Sequence, residues 1–296
     1  MNHYVLLAVS LAGSITGATV KKYLGDRYRN GTFERYFFSA VTSLVAAAGL
    51  AALSDSLRAS AFTLLLGIVF GMTTAIQSVF NYKAIEIGPF SYTTVLGSLS
   101  MIIPALSGAV LWNETISWLQ IVGIALMIVC FVLSAEFRGE QKKATLRWLF
   151  YCMVAFLCTG AIGVMQKWHQ NTEYKDELDA FLVIAFAFSF VFSTAAALIG
   201  RKKEKVPQDG KKLTSPLPIF LMIVAGVGIA DCNKLNLYLS GAMDSAVFFP
   251  VFNVSVLILI TLIAVVFFKE KLTVKQWIGL AVGACAVVLL CDPFKV

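Results

Sequence analysis

The sequence is short of charge. Only 14% of its 296 residues are charged, whereas hydrophobic residues make up 58% and the mean hydropathy is +0.80. A soluble domain carries about 25% charged residues, so this chain cannot cover a globular surface with polar groups. The composition predicts a lipid solvent. The net charge of +7 is therefore interpreted as membrane topology rather than as nucleic-acid binding.

Residues that carry chemistry are also scarce. The chain has two histidines, and none of its six cysteines stands in a CxxC pair, which argues against a metal centre, structural zinc or disulfides. The sequence contains no HExxH, GxSxG or Walker-type phosphate loop. We therefore expect a protein that is not an enzyme, holds no cofactor and draws its energy from a gradient or from its solute.

Long apolar stretches are abundant. A spanning helix needs roughly 20 mainly apolar residues. Ten stretches qualify, at residues 3–21, 35–54, 59–80, 89–111, 116–135, 145–166, 179–199, 216–238, 245–267 and 274–291. The predicted fold class is an all-α polytopic membrane protein with ten transmembrane helices.

Lys and Arg are distributed unevenly over the intervening loops. The loops after spans 1, 3, 5, 7 and 9 hold 19 of the 24 positive residues. Positive residues mark cytoplasmic loops, so both termini are expected outside the cytoplasm, in a multi-pass protein of the cell membrane. Near the ends of spans 1 and 6, Lys21 and Lys167 are expected to be interface anchors.

The chain resembles itself at an offset of 156 residues. Residues 110–133 placed over 266–289 give seven identities in 24 positions. The polar and glycine pairs among them are Glu114/Glu270, Gln120/Gln276 and Gly123/Gly279. An offset of 146 places Gly17 over Gly163. We predict two five-helix copies, at 1–137 and 138–296. Because five is odd, the copies are inverted, as in secondary transporters.

These copies resemble the drug/metabolite transporter superfamily, and more closely its EamA-type permeases. The resemblance rests on Asn113-Glu114-Thr115-Ile116-Ser117 and on Lys269-Glu270-Lys271-Leu272-Thr273. It implies a ten-helix permease without cofactors, in which spans 1–4 and 6–9 surround a central cavity while spans 5 and 10 lie outside. Many members have cytoplasmic termini, whereas the charges here favour external termini.

Glu114 and Glu270 are predicted to have structural roles. Each precedes a new helix, so Glu114 is expected to stabilise the N-terminus of span 5 and Glu270 that of span 10 through the helix dipole. Thr115, Ser117 and Thr273 add capping capacity.

Span 8 contains the most conspicuous charges, Asp231 and Lys234. A charge at membrane depth costs about 2.5–3.5 kcal/mol and is a functional candidate. Their spacing of three places them on one helix face. They could form an internal ion pair, or Lys234 could extend to the interface. Alternatively, Asp231 could carry a coupling proton, or the two could hold a zwitterionic solute.

Further polar and aromatic residues complete the candidate substrate site. Gln77 and Asn81 share a face of span 3, and Gln77 falls on Asn233 at the offset of 156. In span 9, Pro250 can kink the helix and Asn253 can hydrogen-bond a solute. Tyr92 and Phe249 could form flat cavity walls. Gln77 and Asn81 could equally serve helix packing, and aromatic residues in membrane chains more often pack or contact lipid.

The function predicted is secondary transport of a small polar or zwitterionic metabolite, with amino-acid-like export favoured. A flippase for a lipid-linked solute and a broad exporter of drugs or organic cations remain alternatives. An intramembrane enzyme would need convergent catalytic residues, and a passive channel would not saturate. The expected partners are the solute and the bilayer, with no nucleic acid, and the protein is expected to be a monomer or homodimer.

Overall fold

The computed structural model describes residues 3–28, 31–54, 56–135, 145–203, 213–269 and 271–291. In these ranges the regular structure is helical throughout and contains no strand. The helices are α1 (His3–Arg27), α2 (Thr32–Leu53), α3 (Ala61–Ile87), α4 (Phe90–Leu99), α5 (Ile102–Trp112), α6 (Trp118–Ser134), α7 (Leu146–Gln170), α8 (Leu178–Lys203), α9 (Pro216–Ala242), α10 (Ser245–Phe268) and α11 (Val274–Leu290), with a 3₁₀ turn at Lys175–Glu177.

The helix lengths confirm a polytopic membrane protein. In the described part of the chain, eight segments are long and apolar enough to cross a bilayer. They are α1, α2, α3, Tyr92–Trp112, α7, Lys175–Arg201, α9 and α10. The remaining apolar helices, α6 and α11, have 17 residues each, which corresponds to about 25 Å. The prediction of ten spans therefore rests on these two shorter helices.

The fourth predicted span is two helices rather than one. α4 ends at Leu99 and α5 begins at Ile102. Pro104 accounts for the break, because proline has no N–H to donate to the carbonyl of Ser100 and its ring collides with that carbonyl. Ser100 adapts by donating from its hydroxyl to the Gly97 carbonyl at 2.5 Å. In contrast, α10 continues from Ser245 to Phe268 through Pro250.

The same local structure occurs at the α5–α6 and α10–α11 junctions. Asn113 and Lys269 end their helices in the left-handed conformation, with φ of 55° and 56°. The following helices each begin with a capping box, in which Ser117 pairs with Gln120 and Thr273 pairs with Gln276. Each matched pair of residues is separated by the predicted offset of 156, so positions aligned at that offset have equal structural roles even where the residue types differ.

The chain divides into two compact units. Unit 1 comprises Met1–Ala75 and His169–Tyr238, and unit 2 comprises Ile76–Trp168 and Leu239–Val296. Each unit takes helices from both predicted copies. The units are defined by contacts and the copies by sequence offset, so the boundaries 1–137 and 138–296 stay a prediction.

Within unit 1, α2 packs along α8. The Ser43 and Ser189 hydroxyls meet at 3.0 Å across this contact, and the two residues are 146 positions apart, the second offset found in the sequence. Contact between residues at equal positions of two copies is what a pseudo-two-fold axis produces.

Within unit 2, α6 packs along α11. Gly123 of α6 faces Leu290 of α11, and Gly279 of α11 faces Ser134 of α6. Because 123 and 134 become 279 and 290 at the offset of 156, the contact is reciprocal. This helix pair has the same pseudo-two-fold character as the contact between α2 and α8.

Candidate functional site

Asp231 lies near the middle of α9, and its side chain is exposed. Among the described residues, no hydrogen bond or ion pair reaches its carboxylate. A carboxylate facing lipid at this depth would cost about 2.5–3.5 kcal/mol, so an aqueous surface is the physically consistent environment. Asp231 is thus an unneutralised charge available to a proton or a cation.

Lys234 does not pair with Asp231. Its ammonium group contacts Asp179, at 2.8 Å from Oδ1 and 2.9 Å from Oδ2. The sequence-based pairing of Asp231 with Lys234 is therefore wrong for this structure. Asp179 lies in the first turn of α8, where the helix dipole also favours a carboxylate. The Lys234 side chain is 37% exposed and that of Asp179 is 16% exposed.

The face of α9 behind these charges packs closely on α1. Gly13 and Gly228 stand opposite each other, and a Cβ on either glycine would collide with the carbonyl oxygen of the other. One turn away, the Ser10 hydroxyl donates to the Asn236 side-chain oxygen at 2.6 Å. Small residues permit such close backbone approach in membranes. This seam holds the polar segment of α9 closely against α1.

The amide candidates differ in how their hydrogen bonds are used. Asn233 donates to the Ile229 carbonyl at 2.9 Å, and Asn253 donates to the Phe249 carbonyl at 2.8 Å. These bonds within one helix leave the side-chain oxygens as the groups available to a solute. Gln77 and Asn81 in α3 are partly exposed, and the described residues provide no hydrogen bond to either side chain.

The aromatic candidates are placed differently from each other. Tyr92 in α4 is 50% exposed. Phe249 is 4% exposed and lies against Gly163 of α7, within unit 2. Tyr92 therefore lies at the surface of unit 2, whereas Phe249 packs in the helix contact that the small residue at 163 permits.

A second ion pair lies buried in unit 2. Lys167 of α7 contacts Glu114 at 2.5 Å, and their side chains are 4% and 12% exposed. Lys167 also donates to the Met243 carbonyl at 2.9 Å, while Glu114 accepts the backbone N–H of Ser245 at 2.7 Å. The pair therefore joins the α5–α6 junction to α7 and to the start of α10.

Two predictions about this pair need correction. Glu114 does stabilise a helix N-terminus, but the helix is α10 rather than span 5, whose start is capped by Ser117 and Gln120. Lys167 is buried rather than anchored at the interface. Glu270, the predicted counterpart of Glu114, lies outside the described residues.

Sequence reasoning gave no role to His169, the last buried residue of α7. Its ring is fully buried between Phe181 and Phe62, with ring centroids 4.6 and 6.4 Å away. Nε2 lies 3.4 Å from the Thr63 hydroxyl. The sequence shows only a histidine at the end of an apolar stretch. Its contacts could not be predicted, because they come from other helices.

A carboxylate lies beyond Thr63 in the same unit. Glu177 accepts the backbone N–H of Ser60 at 2.9 Å and the Ser60 hydroxyl at 2.8 Å. The Ser60 hydroxyl also lies 3.1 Å from the Thr63 hydroxyl. These bonds fasten the start of α3 to the turn before α8.

This chain is similar to known proteins in its fold and, over its second half, in its sequence pattern. Among curated proteins, none matches it. A solved crystal structure is similar over 99% of both chains, with a TM-score of 0.72 and 18% sequence identity, which shows a shared fold. The sequence model of the EamA-like transporter family matches residues 146–291. The resemblance predicted from the loop motifs is thereby confirmed: residues 146–291 belong to the EamA-like transporter family, in an integral multi-pass membrane protein of the drug/metabolite transporter type.

Proposed function

We propose that this protein is a secondary transporter of a small polar metabolite that carries a protonated amine. Asp231 binds the ammonium group of the solute, and a proton competes for the same carboxylate. An amino-acid-like metabolite is the favoured solute, with an organic cation as the alternative. Membership of a transporter family supports transport in general, and the state of Asp231 supports this particular solute class.

The observation that carries the proposal is the unpaired carboxylate of Asp231. An exposed charge in the middle of an apolar helix is retained in membrane proteins for solute or proton binding. A protein without a binding role for Asp231 would be expected to neutralise it, as Glu114 is neutralised by Lys167.

The pairing of Lys234 with Asp179 determines the sign of the charge that the site offers to a solute. With Lys234 held by Asp179, the available charge on this face of α9 is negative. A zwitterion bound by both Asp231 and Lys234 is therefore less well supported than a solute bound through its amine. A hydroxyl group of an amino-acid-like solute would donate directly to a polar group such as the Asn233 side-chain oxygen. The carboxylate of the solute would reach that oxygen through a bridging water.

We further propose ten spans in two inverted five-helix copies, with alternating access between two states. The equal junctions after α5 and α10 support the copies, as do the reciprocal contacts of α2 with α8 and of α6 with α11. Because the copies are inverted, exchanging the conformations of the two halves converts an outward-open state into an inward-open state.

The orientation proposed from the Lys and Arg distribution places both termini outside the cytoplasm of the cell membrane. An N-terminal epitope tag on intact cells should then be accessible to an external antibody. A tag reached only after the membrane is permeabilised would reverse the orientation and leave the solute proposal unaffected.

The solute is identified by a thermal-shift screen of detergent-purified protein against amino acids, nucleosides, sugars and organic cations. A ligand at about 100 times its Kd stabilises the protein by about 2.7 kcal/mol. We expect hits among amines, and we expect these hits to drive counterflow in proteoliposomes. The variant Asp231→Asn should lose both stabilisation and counterflow, whereas Asp231→Glu should retain part of each.

Asp176→Asn serves as the matched control, because Asp176 is an exposed carboxylate in the 3₁₀ turn before α8. Exchange retained without uphill transport in Asp231→Asn would restrict Asp231 to proton binding. Full uphill transport in that variant would contradict both roles. An empty screen would instead favour a lipid-linked solute, which a water-soluble library lacks.

A further inference from the structure

In unit 1, two carboxylates are placed to compete for one lysine. Lys234 can pair with Asp179 of α8 or with Asp231 of its own helix. The spacing of three between Asp231 and Lys234 brings their Cβ atoms to about 5–6 Å, within reach of the long lysine side chain. The structure shows the pairing with Asp179 and leaves Asp231 alone.

The competition is resolved by the surroundings of Asp179. Its Oδ2 accepts a hydrogen bond from Lys234 at 2.9 Å. Its Oδ1 is buried, lies 2.8 Å from the ammonium nitrogen, and has no hydrogen-bond donor of suitable geometry among the described residues. Removing Lys234 would leave this oxygen buried without compensation. The carboxylate of Asp231 is exposed, so water can solvate it and it does not need Lys234 as a partner.

We propose that Asp179 is a specificity-determining residue that acts by holding Lys234 away from Asp231. The inference rests on the proposed function, because it explains why the Asp231 site is open to cations. With Asp179 in place, Asp231 presents a free negative charge. Without Asp179, Lys234 turns to Asp231 and occupies the place of the solute's ammonium group.

The pairing is tested without any solute by carbodiimide cross-linking. The purified protein in detergent micelles is treated with a water-soluble carbodiimide and glycine ethyl ester. An activated carboxyl group forms an amide either with a neighbouring lysine or with the added ester amine, and the urea leaves. Peptide mass spectrometry then identifies which carboxylate has reacted with which amine.

In the unaltered protein we expect a 179–234 cross-link and glycine ethyl ester on Asp231. In Asp179→Asn we expect a 231–234 cross-link, with the ester label on Asp231 reduced at least about fivefold. A 231–234 cross-link in the unaltered protein, or an Asp231 that stays fully labelled in Asp179→Asn, would overturn the competition. Absence of the 179–234 cross-link would also count against it.

The effect on selectivity is tested with tetraethylammonium chloride as the cation and sodium chloride as the ionic-strength control. Stabilisation of the protein in thermal unfolding gives the apparent affinity for the cation. We expect Asp179→Asn to weaken this affinity by about tenfold or more, since an internal ammonium group then competes for the site. Asp179→Glu, which keeps the charge, should weaken it by less than about threefold.

The double variant Asp179→Asn/Lys234→Gln separates selectivity from folding. It lacks the competing ammonium group, so we expect cation affinity to return to within about threefold of the original. A purely structural role of Asp179 predicts no such recovery, and persistent loss in the double variant would overturn the proposal. If the cross-links appear as expected but tetraethylammonium stabilises no variant, the cation site of the proposed function fails while the pairing of Lys234 stands.

Discussion

The two lysine–carboxylate pairs of this protein differ in almost every physical respect. Lys167 and Glu114 in unit 2 are nearly inaccessible and have further backbone partners at the start of α10. Lys234 and Asp179 in unit 1 are partly exposed, and Lys234 shares a face of α9 with a third charge, Asp231. A buried pair with every group bonded fixes a structure, whereas an exposed pair beside an unpaired charge can exchange partners.

This difference separates stability from specificity. Breaking a buried pair leaves an uncompensated charge and is expensive, about 3–5 kcal/mol, whereas exposed pairs contribute about 0–1 kcal/mol. We therefore expect substitutions in the Glu114 pair to affect folding and those in the Asp179 pair to affect ligand selectivity.

The largest effect is expected for Glu114→Gln. The amide still accepts the Ser245 N–H but no longer neutralises Lys167, so the free energy of unfolding should fall by about 3–5 kcal/mol. Reversible unfolding in mixed micelles measures the change. Adding Lys167→Met should recover most of the loss, because no buried charge then remains. A single-variant loss below about 1 kcal/mol would mean that the pair is solvated.

An intermediate effect is expected for Gly228→Ala. In unit 1 the support of α9 comes from its seam with α1, and a new Cβ would meet the Gly13 carbonyl oxygen at 2.9 Å. Forced separation of the helices should destabilise the protein by about 1–3 kcal/mol. Gly49→Ala in α2 is the control, since its Cβ meets no atom within 4 Å. Equal melting behaviour of the two variants would contradict a rigid seam.

A smaller effect on stability is expected for Asp179→Asn. Lys234 is more than one-third exposed and can be solvated or find Asp231, so the free energy of unfolding should change by less than about 1 kcal/mol. The same micelle unfolding experiment measures it. A loss as large as that of Glu114→Gln would place both pairs in one structural class and remove the contrast between them.

The smallest effect is expected from salt. Raising sodium chloride from about 0.05 M to about 0.5 M shortens the screening length severalfold and weakens exposed pairs. The effect of Asp179→Asn on unfolding should shrink by a few tenths of a kcal/mol, whereas that of Glu114→Gln should stay constant. Equal salt dependence of the two variants would indicate equal solvent access.

Much of the fold could be predicted from the sequence, because the length of an apolar stretch determines whether it crosses a bilayer. The ten predicted stretches coincide with helices to within a few residues at most ends. The break at Ser100–Met101 was missed, although Pro104 was its visible cause. The kink expected at Pro250 stays a prediction, since α10 continues from Ser245 to Phe268 through that residue.

The charged pairs could not be predicted in the same way. Local spacing suggested Asp231 as the partner of Lys234, but the partner is Asp179, 55 residues earlier on α8. Lys167 looked like an interface anchor because its partner Glu114 lies in a distant loop. Pairings across helices depend on packing, and a single sequence contains no direct signal of it. The sequence does show that Asp231 lies within an apolar stretch, and that position alone identified it as a candidate site residue.

The most direct test compares two single variants, Asp231→Asn and Lys234→Gln. The ligand is the amine found in the screen, and isothermal titration calorimetry measures its affinity for each variant. We expect Asp231→Asn to lose at least about tenfold in affinity, since a charged partner is removed. Lys234→Gln should bind within about threefold of the unaltered protein or more tightly. Loss of affinity in Lys234→Gln together with unchanged binding by Asp231→Asn would contradict Asp231 as the binding carboxylate and identify Lys234 as the group that contacts the solute.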